Sequence, residues 1–364
     1  MTFGTNFLPG PTDVHPEVLA AQAQPMFSHR GPRMRALLER VEPTLNQCFG
    51  TAQPVFVQTC SGTGLIEVAM RNGVHRRVLV AVGGYFGEYS ARIAEGCGKE
   101  VVRVHVHPGQ AITPEQLREF LDGPEIDAVL LVHSESSTGA LADIASLAQV
   151  IRERTDALIM VDGVTSVGAM PIEMDRWGVD YYCTGSQKAL GLPPGLAFGA
   201  ASPRFQERAE RQRDAGYYTS IRRLVSIARE HLPWWTPAVS LLLALECQVQ
   251  RIEREGGWPA RWERHRRMRE LADRWIATRS ELRLMTPEGT ERSPAVSSVV
   301  LPERFRAAAV LEELERRGFL VGGALDLRYG QIVRIGHMGD LEPAHLGRLL
   351  DVLDAILEES GGRR

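Results

Sequence analysis

Between about residue 60 and residue 205, short apolar runs rich in β-branched residues alternate with longer stretches whose apolar positions recur every three or four residues. The first kind of run suits strands buried on both faces and the second suits helices that cover them. The alternation therefore predicts an α/β fold built of βαβ units around a mainly parallel sheet. The expected strands are RRVLVAVGG (76–84), EVVRVHV (100–106), DAVLLVH (127–133), ALIMVDG (157–163), DYYCTGS (180–186) and LAFGAAS (196–202). Helical patterns fall between most of them, at 64–73, 87–96, 113–123 and 142–154. Thr113, followed by Glu115 and Gln116, gives the third of these a capped start. Beyond Pro237 the pattern becomes a long helix to about residue 254 and then an Arg-rich helix. From Pro294 a separate α+β pattern begins: a strand at 295–301, a helix at 306–318, a strand at 331–336 and a final amphipathic helix from about 343 to 358. The expected organisation is an N-terminal segment (1–20), a large domain (21–240) and a smaller α+β C-terminal domain with its linking helix (241–364). No repeat or low-complexity stretch interrupts it, and the last four residues, GGRR, read as a frayed end.

Composition changes this picture only in places. A chain of 364 residues with 44% hydrophobic and 24% charged residues is an ordinary globular one. Its formal charge of −3 offers no overall basic field for nucleic acid, and the run Arg261 to Arg269 reads as a solvated helix face. No apolar run approaches the ~20 residues that span a bilayer, so no membrane partner and a cytoplasmic location are expected. Five scattered cysteines lack metal-ligand spacing and read as reduced packing residues. The informative number is that of lysine. The basic residues are almost all Arg, and only Lys99 and Lys188 are lysines. Arg is too basic to serve as an amine nucleophile, so a covalent amine chemistry has two candidates.

In open parallel sheets, ligands bind beyond the carboxyl ends of the strands. Four polar segments stand there. Ser61-Gly62-Thr63-Gly64 opens a helical pattern and suits a phosphate, or is an ordinary helix cap. Asp162 ends the run ALIMV, where a carboxylate can pair with a protonated ring nitrogen or simply serve a turn. Ser186-Gln187-Lys188 follows the strand DYYCTG; a lysine desolvated there would be nucleophilic, whereas Lys99 in GCGKEV reads as a surface residue. His133 to Gly139 (HSESSTG) gathers hydroxyls and a carboxylate after a buried strand, which can hold a polar ring substituent or form a plain loop. His133 by itself reads as structural, and no G-x-S-x-G elbow supports a Ser/His/Asp hydrolase.

Taken together, LPGPT (8–12), SHRGP (28–32), SGTG (61–64), HSESSTG (133–139), VDGVTSVG (161–168), GSQKAL (185–190) and VRIGHMG (333–339) resemble the class V aminotransferases, fold-type I enzymes dependent on pyridoxal phosphate. That family includes alanine:glyoxylate, serine:glyoxylate and 2-aminoethylphosphonate:pyruvate transaminases. The resemblance implies that Lys188 holds the cofactor as a Schiff base and that Asp162 pairs with its ring nitrogen. It implies that Phe86 stacks on the ring, where many members have Trp, and that Ser136 lies near the ring oxygen. Thr63, Gly64 and Leu65 would meet the phosphate through backbone N–H groups and Gln187 through its side chain. Arg334 would clamp the substrate carboxylate through two parallel hydrogen bonds, and Gly10 would lie beside the substrate. The family is homodimeric with shared sites, and Thr236 before Pro237 fits the residue that reaches the partner's phosphate. The alanine:glyoxylate enzymes of that family also carry a Tyr three residues earlier, where this chain has Pro233; Trp234 and Trp235 are then candidates for lining the entrance, with buried packing expected of at least one.

The expected reaction is ping-pong transamination of alanine or serine with glyoxylate or pyruvate. A donor with a second anionic group, such as aspartate or an aminophosphonate, is the rival, because Arg30 could meet that group. A lyase or desulfurase on the same fold is disfavoured, since Gln187 stands where desulfurases have His and no Cys follows Cys247. A non-catalytic scaffold is the remaining alternative, since fold alone does not establish function.

Overall fold

The computed structural model describes residues 2–212, 215–233, 235–326 and 330–361. Its centre is a seven-stranded sheet in the order Phe56–Gln58, Ala197–Ala201, Tyr181–Gly185, Leu158–Asp162, Ala128–Val132, Arg77–Val82, Glu100–His105. The last five run parallel, and Ala197–Ala201 is antiparallel to both of its neighbours. Each of the six strands expected from the apolar runs is present. Phe56–Gln58 was not foreseen, because three residues carry too little pattern to stand out.

Alternation along the strands sends neighbouring side chains to opposite faces. Leu79, Val129, Leu131, Ile159 and Val161 face one core with helices Pro32–Phe49, Pro114–Leu121, Ile144–Arg154 and Val239–Arg254. Val78, Val80, Leu130, Leu158 and Met160 face the other, with helices Gly62–Gly73, Tyr85–Gly96, Pro203–Glu210 and Ile221–Arg229. Thr113 does start a helix: its Oγ1 accepts from Gln116 N at 3.2 Å while Gln116 Oε1 accepts from Thr113 N at 3.0 Å.

A second, five-stranded sheet has the order Asn6–Phe7, Leu320–Gly323, Ile332–Gly336, Val296–Val300, Arg283–Leu284. Its own core takes in Met268 and Ile276 from helix Gly257–Ala277, and Leu346 and Leu353 from helix Pro343–Gly361. The N-terminal strand pairs with the far end of the chain, Asn6 opposite Leu320 and Phe7 opposite Val321. Residues 8–12 are thereby laid between the two sheets. Thr12 donates its N–H to the Gln187 carbonyl at 2.9 Å and its Oγ1 to the Met338 carbonyl at 3.2 Å.

The Arg-rich helix departs from its expected character. Arg266 and Arg267 pair with Glu263 in solvent, but Arg261 is 0% exposed. Its Nη1 meets Asp340 Oδ1 at 2.8 Å, and its Nε and Nη2 donate to the Ala189 carbonyl at 3.2 and 3.1 Å. Gln248 completes the cluster, donating to Asp340 and, at 2.9 Å, to the Leu190 carbonyl. A run of like charges hid one residue whose neighbours turn inward at the helical period.

Candidate active site

The strands Leu158–Asp162 and Tyr181–Gly185 run in the same direction, so Asp162 at the end of one and Lys188 just past the other reach the same sheet edge. Lys99 precedes strand Glu100–His105 and lies at the opposite edge, where its Nζ donates to the His75 carbonyl at 3.5 Å. Of the two lysines, only Lys188 stands where a parallel sheet binds ligands.

A cavity of about 340 Å³ opens there, lined among others by Gly10, Thr63, Phe86, Asp162, Gln187 and Lys188. That volume lies in the range of small-molecule sites. Lys188 is 7% exposed; its Nζ donates to the Pro9 carbonyl and sits 5.8 Å from the centroid of the Phe86 ring. Burial, and after it the charge of Arg334, brings its pKa down to about 8, against the opposing pull of Asp162 and Glu135. Asp162 is buried as well. Its Oδ1 accepts from Val164 N at 2.9 Å, and burial pushes its pKa up to about 6. Gly10, at φ +108°, is needed where it stands: a Cβ there would come within 2.6 Å of Lys188 Cδ and Cε.

The wall opposite is the start of helix Gly62–Gly73, with Ser61, Gly62 and Thr63 on the cavity. Thr63 Oγ1 lies 3.5 Å from the hydroxyl of Tyr89, itself on the wall. Gly64 and Leu65 stand one step behind. Gly64 N–H closes onto the Ser61 carbonyl at 2.9 Å, while Leu65 is fully buried and its carbonyl accepts from Tyr181 Oη at 2.8 Å. Thr236 is exposed and does not line the cavity, Arg30 is likewise exposed and off its wall, and Trp234 lies outside the described residues.

Arg334 comes from the second sheet. Its Nε donates to the Gly323 carbonyl at 2.6 Å and its Nη1 to the Ser136 carbonyl at 3.1 Å. Its Nη2 has no protein hydrogen bond among the described residues. Burial lowers its pKa to about 10. Ser136 Oγ is buried and has no hydrogen-bond partner among the described residues. His133 proves structural, packed against Trp177 and hydrogen-bonded through Nδ1 to the Tyr182 hydroxyl; burial takes its pKa down to about 3. Glu135, beside Ser136, was not singled out by the sequence, because an acid within a run of hydroxyls looks like any loop residue. It is buried, and its carboxylate accepts four hydrogen bonds.

A buried lysine of lowered proton affinity and a strand-end carboxylate share a cavity at the carboxyl edge of a mainly parallel sheet, the place where fold-type I enzymes bind pyridoxal phosphate. Residues 17–323 match the family described as aminotransferase class-V. The chain is 33% identical to the L-aspartate–glyoxylate aminotransferase of Paracoccus denitrificans, over 93% of this chain and 87% of that one. It is 29% identical to the soluble hydrogenase small subunit of a Synechococcus species, over 97% of this chain and 93% of the other. The crystal structure of the alanine–glyoxylate aminotransferase of a Nostoc species superposes with a TM-score of 0.91 at 29% identity, covering 98% of this chain and 96% of that one. The chain belongs to the class V aminotransferases and is a pyridoxal-phosphate-dependent aminotransferase.

The residues present fit that cofactor. Ser136 Oγ is an orphaned buried hydroxyl awaiting a partner, the helix start offers N–H groups to a phosphate, and the Asp162 carboxylate has an acceptor to spare. No described helix is long and apolar enough to cross a membrane.

Proposed function

We propose that the enzyme transfers the amino group of a small neutral amino acid, alanine or serine, to glyoxylate or pyruvate, with Lys188 as the covalent attachment and proton-transfer residue. The observation that carries this reading is the enclosure of Lys188 between Gly10, Phe86 and Asp162, with a pKa near 8. Bound pyridoxal phosphate supplies an aldehyde that carries the amino group and a ring that draws electrons from the donor's Cα. Lys188 Nζ, with its pKa lowered to about 8, is neutral often enough near that pH to take up the Cα proton as general base. Asp162 keeps a proton on the ring nitrogen, its charge stabilised by that pairing in a site where burial otherwise disfavours it. Phe86 would stack on the ring of the bound cofactor, and Ser136 Oγ would meet its ring oxygen. Thr63, Gln187 and the helix start, with Gly64 and Leu65 behind, hold the phosphate, and Thr236 of a second copy completes it in a homodimer.

Arg334 receives the substrate carboxylate. Its charge is felt at Lys188, and with Nε and Nη1 donating to two carbonyls it keeps the N–H groups of Nη2 for a carboxylate. Two of the three relatives named above are named for aspartate or alanine, and both of those names include glyoxylate, which favours glyoxylate as acceptor. A dicarboxylate donor needs a second cation. Arg30, the sequence's candidate for it, is exposed and off the cavity wall, so a small neutral donor is preferred. Donor and acceptor use one site in turn, which gives ping-pong kinetics.

The test is a panel of alanine, serine, aspartate and 2-aminoethylphosphonate, each followed as a single half-reaction by cofactor absorbance. Alanine or serine should react fastest, and a clear preference for aspartate would overturn the donor assignment. Arg334→Ala should retain cofactor colour while raising the donor KM by about 100-fold, the worth of a charged bidentate hydrogen bond. Unchanged donor affinity would remove Arg334 from its role.

A further inference from the structure

Glu135 has no part in the reaction as derived above, yet it is buried at 5% exposure and surrounded by donors. Its Oε2 accepts from the N–H groups of Phe86 and Gly87 at 3.0 and 3.1 Å, the opening turn of helix Tyr85–Gly96. Its Oε1 accepts from Ser137 N at 3.1 Å and Ser137 Oγ at 2.6 Å. Ser137 Oγ in turn accepts from Tyr85 N at 3.0 Å. Gly84 permits the approach, since a Cβ there would fall 2.6 Å from the carboxylate carbon.

This helix therefore has no cap from its own chain neighbourhood. A carboxylate about fifty positions downstream takes the N–H groups that a local Ser or Asp would normally take. The same carboxylate shapes the turn that carries Ser136, whose carbonyl holds Arg334 Nη1 at 3.1 Å. One side chain thus ties the aromatic shelf, the Ser136 hydroxyl and the Arg334 anchor into a single unit.

We propose that Glu135 is a positioning residue for the cofactor, fixing the Phe86 ring and the Ser136 hydroxyl relative to one another through its four hydrogen bonds. The proposal rests on the reading of Phe86 and Ser136 as ring contacts. A purely structural cap would stabilise the helix and nothing else. A positioning residue would also set how tightly, and in what orientation, the ring is held.

The test titrates the full-length apo protein with pyridoxal phosphate and records affinity, the visible circular dichroism of the bound cofactor, and the melting temperature of the apo form. Glu135→Gln keeps the shape but turns an N–H₂ toward donors; it should weaken cofactor binding by about tenfold, the worth of one charged hydrogen bond, and reduce the dichroic band. Ser137→Ala is the milder companion should the first variant fold poorly, and it should move both readouts the same way by a smaller factor. Asp143→Ala removes an ordinary helix cap, in which Asp143 accepts from Ser146 N at 3.1 Å; it should lower the melting temperature alone. Phe86→Leu separates the positioning role of Glu135 from the ring contact on which it depends. If it changes the dichroic band while Glu135→Gln and Ser137→Ala lower only the melting temperature, the positioning role is overturned and the shelf stands. If Phe86→Leu leaves the band unchanged, the shelf itself is wrong and the proposal falls with it.

Discussion

A lysine ammonium at 7% exposure has given up most of its hydration, and Arg334 adds a like charge nearby. The apo protein bears the cost. With a folded pKa of about 8 against 10.5 for the free side chain, the folded chain binds this proton less tightly than the unfolded one. The cost is complete below pH 8, where both states are protonated, and fades as pH rises toward 10.5. Lys188→Met should therefore stabilise the apo protein by on the order of 3 kcal/mol at neutral pH, an advantage that vanishes in alkali. Thermal melts of both proteins from pH 7 to pH 10.5 check this, and a pH-independent difference would contradict it. Asp162 was legible because it ends an apolar run, and Lys188 because it is one of two lysines and follows a strand, so strand direction carries both to one edge. Glu135 was not, because its partners at Phe86 and Gly87 lie about fifty residues away and nothing local marks a carboxylate as a remote cap.

Among the elements, the long parallel strands were legible and the short ones were not. Five or six apolar residues buried on both faces leave a clear run, whereas Phe56–Gln58, Asn6–Phe7 and Leu320–Gly323 owe their extended form to the neighbours they pair with. The starting ends of the central strands are fastened by a device unrelated to the chemistry. Asp180, 2% exposed, accepts from Ile159 N at 2.8 Å, from Arg152 and Arg204 at 2.6 and 2.9 Å, and from Ser202 Oγ at 2.9 Å. Asp180→Ala should lower the unfolding free energy by about 3 kcal/mol, since it leaves a buried N–H and two guanidinium groups without their acceptor. Because Asp180 sits at the sheet edge opposite Lys188, kcat per folded molecule should not change. Denaturant titration beside active-site-normalised rates tests both halves, and an unaltered midpoint would sink the first.

On the scale of the whole molecule, the site is an assembly of distant pieces. The N-terminal segment supplies Pro9 and Gly10, the seven-stranded sheet supplies Asp162 and Lys188, and the second sheet supplies Arg334. The buried Arg261, Asp340 and Gln248 cluster grips the carbonyls of Ala189 and Leu190 immediately after Lys188, and Asp340 lies just beyond the strand bearing Arg334. That cluster was not readable beforehand, because residues near 189, 248, 261 and 340 share no local pattern and Arg261 sat in what looked like a solvated charge run. Lys188, and not Lys99, is the residue proposed to carry pyridoxal phosphate. Reducing the cofactor-loaded protein with borohydride and mapping the labelled peptide decides it: the label should sit on the peptide containing Gln187-Lys188-Ala189, while a label on Lys99, or none with cofactor in excess, would contradict the account.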